Sequence, residues 1–116
     1  MEFHEHPAYI GFAKDSGAKR EKVFKEQFEQ QGFDDSVTWS LNYSIAQFIY
    51  PRLVKYYELS DQVINIDYHK GFRQAIEDMI DGFRLASTDK VTTKEEDEKI
   101  HKAWKLLGEW HSALWW

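Results

Sequence analysis

Apolar side chains return every three or four positions in four stretches of this chain, a spacing that predicts four amphipathic helices. The first, about Ala18 to Gln31, has only Val23, Phe24 and Phe28 on its apolar side, so it buries a narrow stripe. Asp15 or Ser16 suits its N-cap, and Gly32 supplies a C-terminal stop. The second is opened by Asp34, Asp35 or Ser36 and carries Leu41, Ile45, Phe48, Ile49, Leu53 and Tyr56 at the spacing of one buried face. Pro51 stands inside it and either kinks the helix or begins a new one, because it lacks an N–H and crowds the preceding turn. The third, about Lys70 to Ala86, has the cleanest set, Phe72, Ile76, Met79, Ile80 and Phe83. The fourth begins where Thr92 and Thr93 precede Glu95 and Glu96 by three residues, a doubled capping-box signature. It carries Ile100, Ala103, Trp104, Leu107, Trp110, His111 and Leu114, with Gly108 inside it as an expected point of close helix approach.

Between these helices the period is lost. Residues 1–17 contain Pro7, Gly11 and Gly17 and read as an irregular arm packing through Phe3, Tyr9, Ile10 and Phe12. Residues 59–69 break the pattern; Val63 to Tyr68 alternates like a short strand, but a lone strand has no partner and a loop is expected. Ser87 to Thr93 is a polar connector. The expected architecture is therefore all-α: a small single-domain bundle of about four helices over 18–116 with an irregular N-terminal arm over 1–17.

Composition narrows the function more than the fold. The 116 residues fit one domain, and five Trp, six Tyr and eight Phe supply a large apolar area for a core or a binding surface. A formal net charge of −5 argues against direct nucleic-acid binding, which usually shows a basic face. The same charge suits ordinary solubility, or a basic protein surface. Cysteine is absent, which removes disulfides and thiol chemistry. Residues 1–9 lack the apolar run of a signal peptide, and polar residues interrupt every apolar stretch, so a soluble intracellular protein is expected.

Candidate chemistry is sparse. His4 and His6 alternate beside Glu2 and Glu5, so in an extended segment both imidazoles could face one metal, with further ligands from His69, His101 or His111. A poorly ordered polar terminus is the plainer reading, and no metal is expected. His101 and His111 stand ten apart on one helix, about 15 Å along its axis, too far to share an ion. Glu26 with Glu29, and Glu58 with Asp61, resemble the carboxylate pairs by which all-α nucleoside-triphosphate pyrophosphatases hold Mg²⁺, but acidic residues are common here. Phosphate-cradling loops, nucleophile elbows and zinc motifs are missing. The expectation is a non-enzymatic protein with no catalytic residue and no cofactor.

Two features point to protein binding instead. Glu77, Asp78 and Asp81 form an acidic stripe on the third helix, either a solvated face or a docking patch. Trp39, Tyr43, Tyr50, Tyr56 and Tyr57 exceed one buried stripe on the second helix, and Trp115 and Trp116 end the sequence. Aromatic residues dominate interface hot spots. The partner-binding candidates are thus Trp39, Tyr43, Tyr50, Glu77, Asp78, Asp81, Trp115 and Trp116. The alternative for the last two is that they fold back and close the core, which is the favoured placement.

The block from Phe33 to Leu53 is the most idiosyncratic. Phe33, Asp34, Asp35, Thr38, Trp39, Ser40, Leu41, Tyr43, Ile45, Ala46, Phe48, Pro51, Arg52 and Leu53 are followed by Asp78, Met79, Ile80 and Phe83, then by Trp115 and Trp116. In this pattern the chain resembles an uncharacterised family of small bacteriophage and prophage proteins over roughly residues 33–116. The resemblance implies a viral origin and a place in the host cytoplasm, but no reaction. It supports an acidic phage protein that binds a host or phage protein, for instance an anti-defence or host-takeover inhibitor such as an anti-CRISPR. Rival expectations are a metal-dependent nucleotide hydrolase using Glu26, Glu29, Glu58 and Asp61, and a virion assembly component working as a homo-oligomer.

Overall fold

The computed structural model describes residues 2–63, 70–88 and 90–115, with the backbone alone for 61–63. It is all-α, as the periodicity predicts: 78% helical, with four helices and short 3-10 turns and no strand among the described residues. The helices are α1 (Ala18–Gln31), α2 (Leu41–Val63), α3 (Phe72–Ala86) and α4 (Lys94–Trp110). Residues 59–63, expected within a loop, continue α2, and the rest of that expected loop, 64–69, lies outside the described residues, and with it His69. The residues group into two compact units, Met1–Ile45 and Ala46–Trp116, so the arm is part of a larger N-terminal unit.

In the N-terminal unit, 3-10 turns at Phe3–Glu5 and Ala13–Asp15 precede α1, and a third at Asp35–Ser40 leads directly into α2. Neither Asp15 nor Ser16 caps α1; Gly17 occupies the N-cap without a side-chain bond, while Ser16 Oγ bonds back to Ala13 O at 2.5 Å. Gly32 ends the helix as expected, in the left-handed region at φ 85°, its N–H reaching Phe28 O at 2.9 Å. Asp34 caps the 3-10 turn through Ser36 N rather than the helix itself. Phe24 is the buried residue of α1, and Val23, expected on the same stripe, is half-exposed.

In the second unit α2, α3 and α4 build one apolar core of Ala46, Leu53, Phe72, Ala75, Ile76, Met79, Phe83 and Ala103. The expected face of α3 is confirmed, with Phe72, Ile76, Met79 and Phe83 buried and Ile80 packed at the edge. The expected face of α2 holds only in part: Leu53 is buried and Ile49 and Tyr56 pack against the core, whereas Leu41, Ile45 and Phe48 are exposed and Ala46 is buried, with Tyr50 and Tyr57 packed alongside. Pro51 lies exposed inside an unbroken helical stretch and begins no new helix.

Thr93 and Glu96 form the capping box of α4, with Glu96 N to Thr93 Oγ1 at 3.1 Å and Thr93 N to Glu96 Oε1 at 3.0 Å. The backbone bond from Thr93 holds the Glu96 carboxyl below its usual range. The close helix approach expected at Gly108 is elsewhere, since nothing stands within 4 Å of a Cβ built there. It is Gly82 that meets α4: a Cβ on Gly82 would lie 2.5 Å from Ala103 Cβ and closer still to Lys99 O. Asp81 with Lys99 (3.5 Å) and Asp78 with Lys102 (3.1 Å) flank that crossing, where α3 and α4 run antiparallel.

Candidate functional site

The N-terminal unit is organised around a buried carboxylate. Asp34 has no exposed surface. Its Oδ2 accepts from Tyr9 OH at 2.6 Å, and its Oδ1 accepts from Ser36 N at 2.9 Å and from the Ser36 hydroxyl. Ser36 Oγ in turn accepts from Phe12 N at 2.8 Å, so one side chain ties the arm to the turn before α2. A buried carboxyl group is tolerable only when hydrogen-bond partners surround it, and here three contacts do so. Burial and the bond to Asp34 push the Tyr9 phenol up to about 12. Gly11 permits this closeness, because a Cβ there would stand 2.9 Å from Ser36 Oγ and collide with the Tyr9 hydroxyl.

Rings continue the attachment. Phe3 and Tyr9 both pack on Phe28 of α1, at 5.4 and 6.0 Å between centroids. Phe12 stacks with both Trp39 (6.2 Å) and Tyr43 (5.9 Å), and Phe24 meets Trp39 edge-on at 5.6 Å. Gln27 clasps Asp35 with two bonds of 2.9 Å each. Trp39 is therefore fixed on two sides, yet 49% of its surface faces solvent. Phe33 (47%), Leu41 (52%) and Ile45 (37%) are exposed in the same short stretch.

His4 and His6 do not come together on one face. His4 lies in a 3-10 turn rather than an extended segment, and His6 is exposed with Nδ1 accepting from Ala8 N at 3.0 Å. His4 Nε2 meets Glu21 Oε1 of α1 at 2.5 Å, and one ligand atom each from Glu2, His4 and Glu21 lie within 4.8 Å of one another. His101 and His111 are exposed, the latter with Nδ1 on Gly108 O at 2.8 Å. Neither Glu2 nor Glu21 carries a motif that reveals this grouping, since it depends on the arm folding back over α1.

The other partner-binding candidates lie in the second unit. Tyr50 packs against the core. Glu77 accepts from Tyr57 OH at 2.7 Å, and that bond raises the Tyr57 phenol. Asp78 is bonded to Gln74 (3.0 Å) and Lys102, and Asp81 to Arg84 (2.9 Å) and Lys99. The Arg84 bond, helped by Lys99, holds the Asp81 carboxyl below its usual range. The acidic stripe is thus engaged by side chains of its own unit. Trp115 is 71% exposed and does not close the core, while Trp116 lies outside the described residues. Trp110, on Phe72 at 5.4 Å, and Trp104, on Phe83 at 5.1 Å, take that role.

The carboxylate pairs of the hydrolase reading are Glu26 and Glu29, both exposed on α1, and Glu58, exposed with Lys55 at 3.8 Å. The Asp61 side chain lies outside the described residues. No helix among the described residues is long and apolar enough to cross a membrane. Comparison of the chain with protein-family models, with curated proteins and with solved structures finds no match.

Proposed function

We propose that the protein works by binding another protein, with Trp39 as the anchor of its surface and Phe33, Leu41 and Ile45 as neighbours in sequence that extend it. The half-exposed, ring-clamped Trp39 carries this reading. Large apolar side chains left in solvent by a monomer mark interaction sites more often than chance exposure. A Trp already held by Phe12 and Phe24 loses little side-chain freedom on docking, so more of its contact energy appears as affinity. These residues belong to the Phe33–Leu53 block, whose resemblance to phage proteins supports an infected host cell as the setting. An anti-defence or host-takeover inhibitor, for example of a CRISPR nuclease, is the specific form of this proposal. The net charge of −5 suits a basic partner surface.

The test is affinity capture from host lysate, identification of the retained protein, and titration of the purified pair. Leu41→Glu is the informative variant: Leu41 is the first residue of α2 and half-exposed, where an acid is tolerated by the helix. It is expected to keep the circular-dichroism spectrum and melting temperature while weakening binding by about thirtyfold, the scale of a hot-spot loss of ~2 kcal/mol. Unchanged affinity for both Leu41→Glu and Ile45→Glu removes this surface from the reading.

A further inference from the structure

We propose that Glu2, His4 and Glu21 form a site for a divalent transition cation of the Zn²⁺ class, which staples the N-terminal turn to α1. One ligand atom from each residue already lies within 4.8 Å of the others. Zinc bonds of about 2.0–2.2 Å in a tetrahedron place ligand atoms about 3.4 Å apart, so the exposed Glu2 needs only a rotamer adjustment to close. His4 Nε2 and Glu21 Oε1, at 2.5 Å, stand closer than two ligands of one ion. Entry of the cation therefore replaces the proton they share and spreads the pair by about 1 Å.

The second observation is the imidazole itself. The His4 side chain is 9% exposed, and its Nδ1 is the buried side-chain polar atom without a hydrogen-bond partner among the described residues. When Nε2 carries the proton toward Glu21, Nδ1 keeps an unused lone pair inside the protein, a cost of about 1–3 kcal/mol. A cation on Nε2 sends the proton to Nδ1, so the imidazole binds it as the neutral tautomer with its other nitrogen still unpaired. Two carboxylates with a neutral imidazole balance a divalent charge. The nitrogen ligand favours zinc-like ions over Mg²⁺ and Ca²⁺, which prefer oxygen alone. Three protein ligands leave a fourth position for water.

The experiment uses the full chain without an affinity tag and titrates ZnCl₂ by calorimetry, with CoCl₂ absorption reporting coordination. One ion per chain is expected, with a tetrahedral Co²⁺ spectrum and a raised melting temperature in Zn²⁺. His4→Ala should abolish binding, and Glu2→Gln, at an exposed position without a packing role, should weaken it by more than the ~10–100-fold typical of an outer-shell change. His6→Ala should leave it intact, because His6 is outside the cluster. Absence of Zn²⁺ binding overturns the proposal. So does affinity unchanged in Glu2→Gln, or lost in His6→Ala, which would place an adventitious ion on exposed histidines.

Discussion

Replacing Gly82 with alanine should destabilise the protein although it improves the local helix. Alanine is favoured over glycine in a helix interior by about 1 kcal/mol. Against this, the new methyl carbon would lie 2.5 Å from Ala103 Cβ and collide with Lys99 O, where ordinary carbon contacts are about 3.5–4.0 Å. Lys99 O is backbone, so no rotamer change relieves the clash; α3 and α4 must part by roughly 1 Å. That movement loosens Phe83 against Trp104 and the fully buried Ile76 and Met79. Overpacking of this kind costs about 1–3 kcal/mol, and a backbone clash belongs at the upper end, so against the ~1 kcal/mol gain the net loss is up to about 2 kcal/mol. In a chain of this size each kcal/mol lost lowers the melting temperature by about 4–8 °C. Urea denaturation followed by far-UV circular dichroism measures it, with Gly108→Ala as the internal control. Gly108 has no atom within 4 Å of its would-be Cβ, so the same substitution there should stabilise by up to about 1 kcal/mol. Adding Ala103→Gly to Gly82→Ala removes one clashing atom and leaves Lys99 O, so it should restore only part of the loss. A Gly82→Ala protein as stable as the parent would refute the close crossing of α3 and α4.

Three further outcomes are expected. Tyr9→Phe removes a donor from the buried Asp34 carboxylate and should cost about 1.5–3 kcal/mol, read by denaturant titration; a loss below ~0.5 kcal/mol would mean the carboxylate is satisfied without it. The Tyr9 phenol, pushed up to about 12, stays protonated while the unfolded phenol ionises near 10. Its stabilisation is thus complete below pH ~10 and is lost as pH rises toward about 12, so ultraviolet phenolate titration should show a late fraction that Tyr9→Phe deletes. Asp81, held low by Arg84 and Lys99, stabilises above the unfolded carboxylate value of ~3.9 and loses that contribution as pH falls through its folded value. With 41% of its side chain exposed, screening keeps the effect under ~1 kcal/mol, and Asp81→Asn should flatten the acid limb by that amount in pH-dependent melting.

Periodicity made α3 legible because its apolar residues are large and evenly spaced, and the capping box made the start of α4 legible because its two bonds are local. The buried side of α2 was legible only in part, through Ile49, Leu53 and Tyr56. There the core takes Ala46, which a search for bulky residues ranks low, and leaves Leu41, Ile45 and Phe48 in solvent. The arm was legible only as apolar rings without period. Its order comes from Asp34, Ser36 and Glu21, each distant in sequence, and no local pattern encodes contacts across such separations. Trp39 and Tyr43 could be singled out as surplus aromatics, but their joint grip on Phe12 could not.

The charges also bear on which surface is available for a partner. Asp78 and Asp81 face Lys102 and Lys99 across the α3–α4 crossing, and Glu77 accepts from Tyr57. A partner cation drawn to these carboxylates would have to displace an existing lysine or hydroxyl, and exposed pairs of this kind are each worth only about 0–1 kcal/mol. Exchange of one such pair for another therefore adds little net affinity, while the overall negative field still speeds the encounter with a basic surface. Apolar groups behave differently. Burying Leu41 or the open half of Trp39 displaces water alone, with no internal contact to break, at about 25 cal/mol for each Å² covered. Affinity on this protein is thus expected from the Phe33–Ile45 stretch and association rate from the acidic helix, so raising salt should slow binding more than it speeds dissociation.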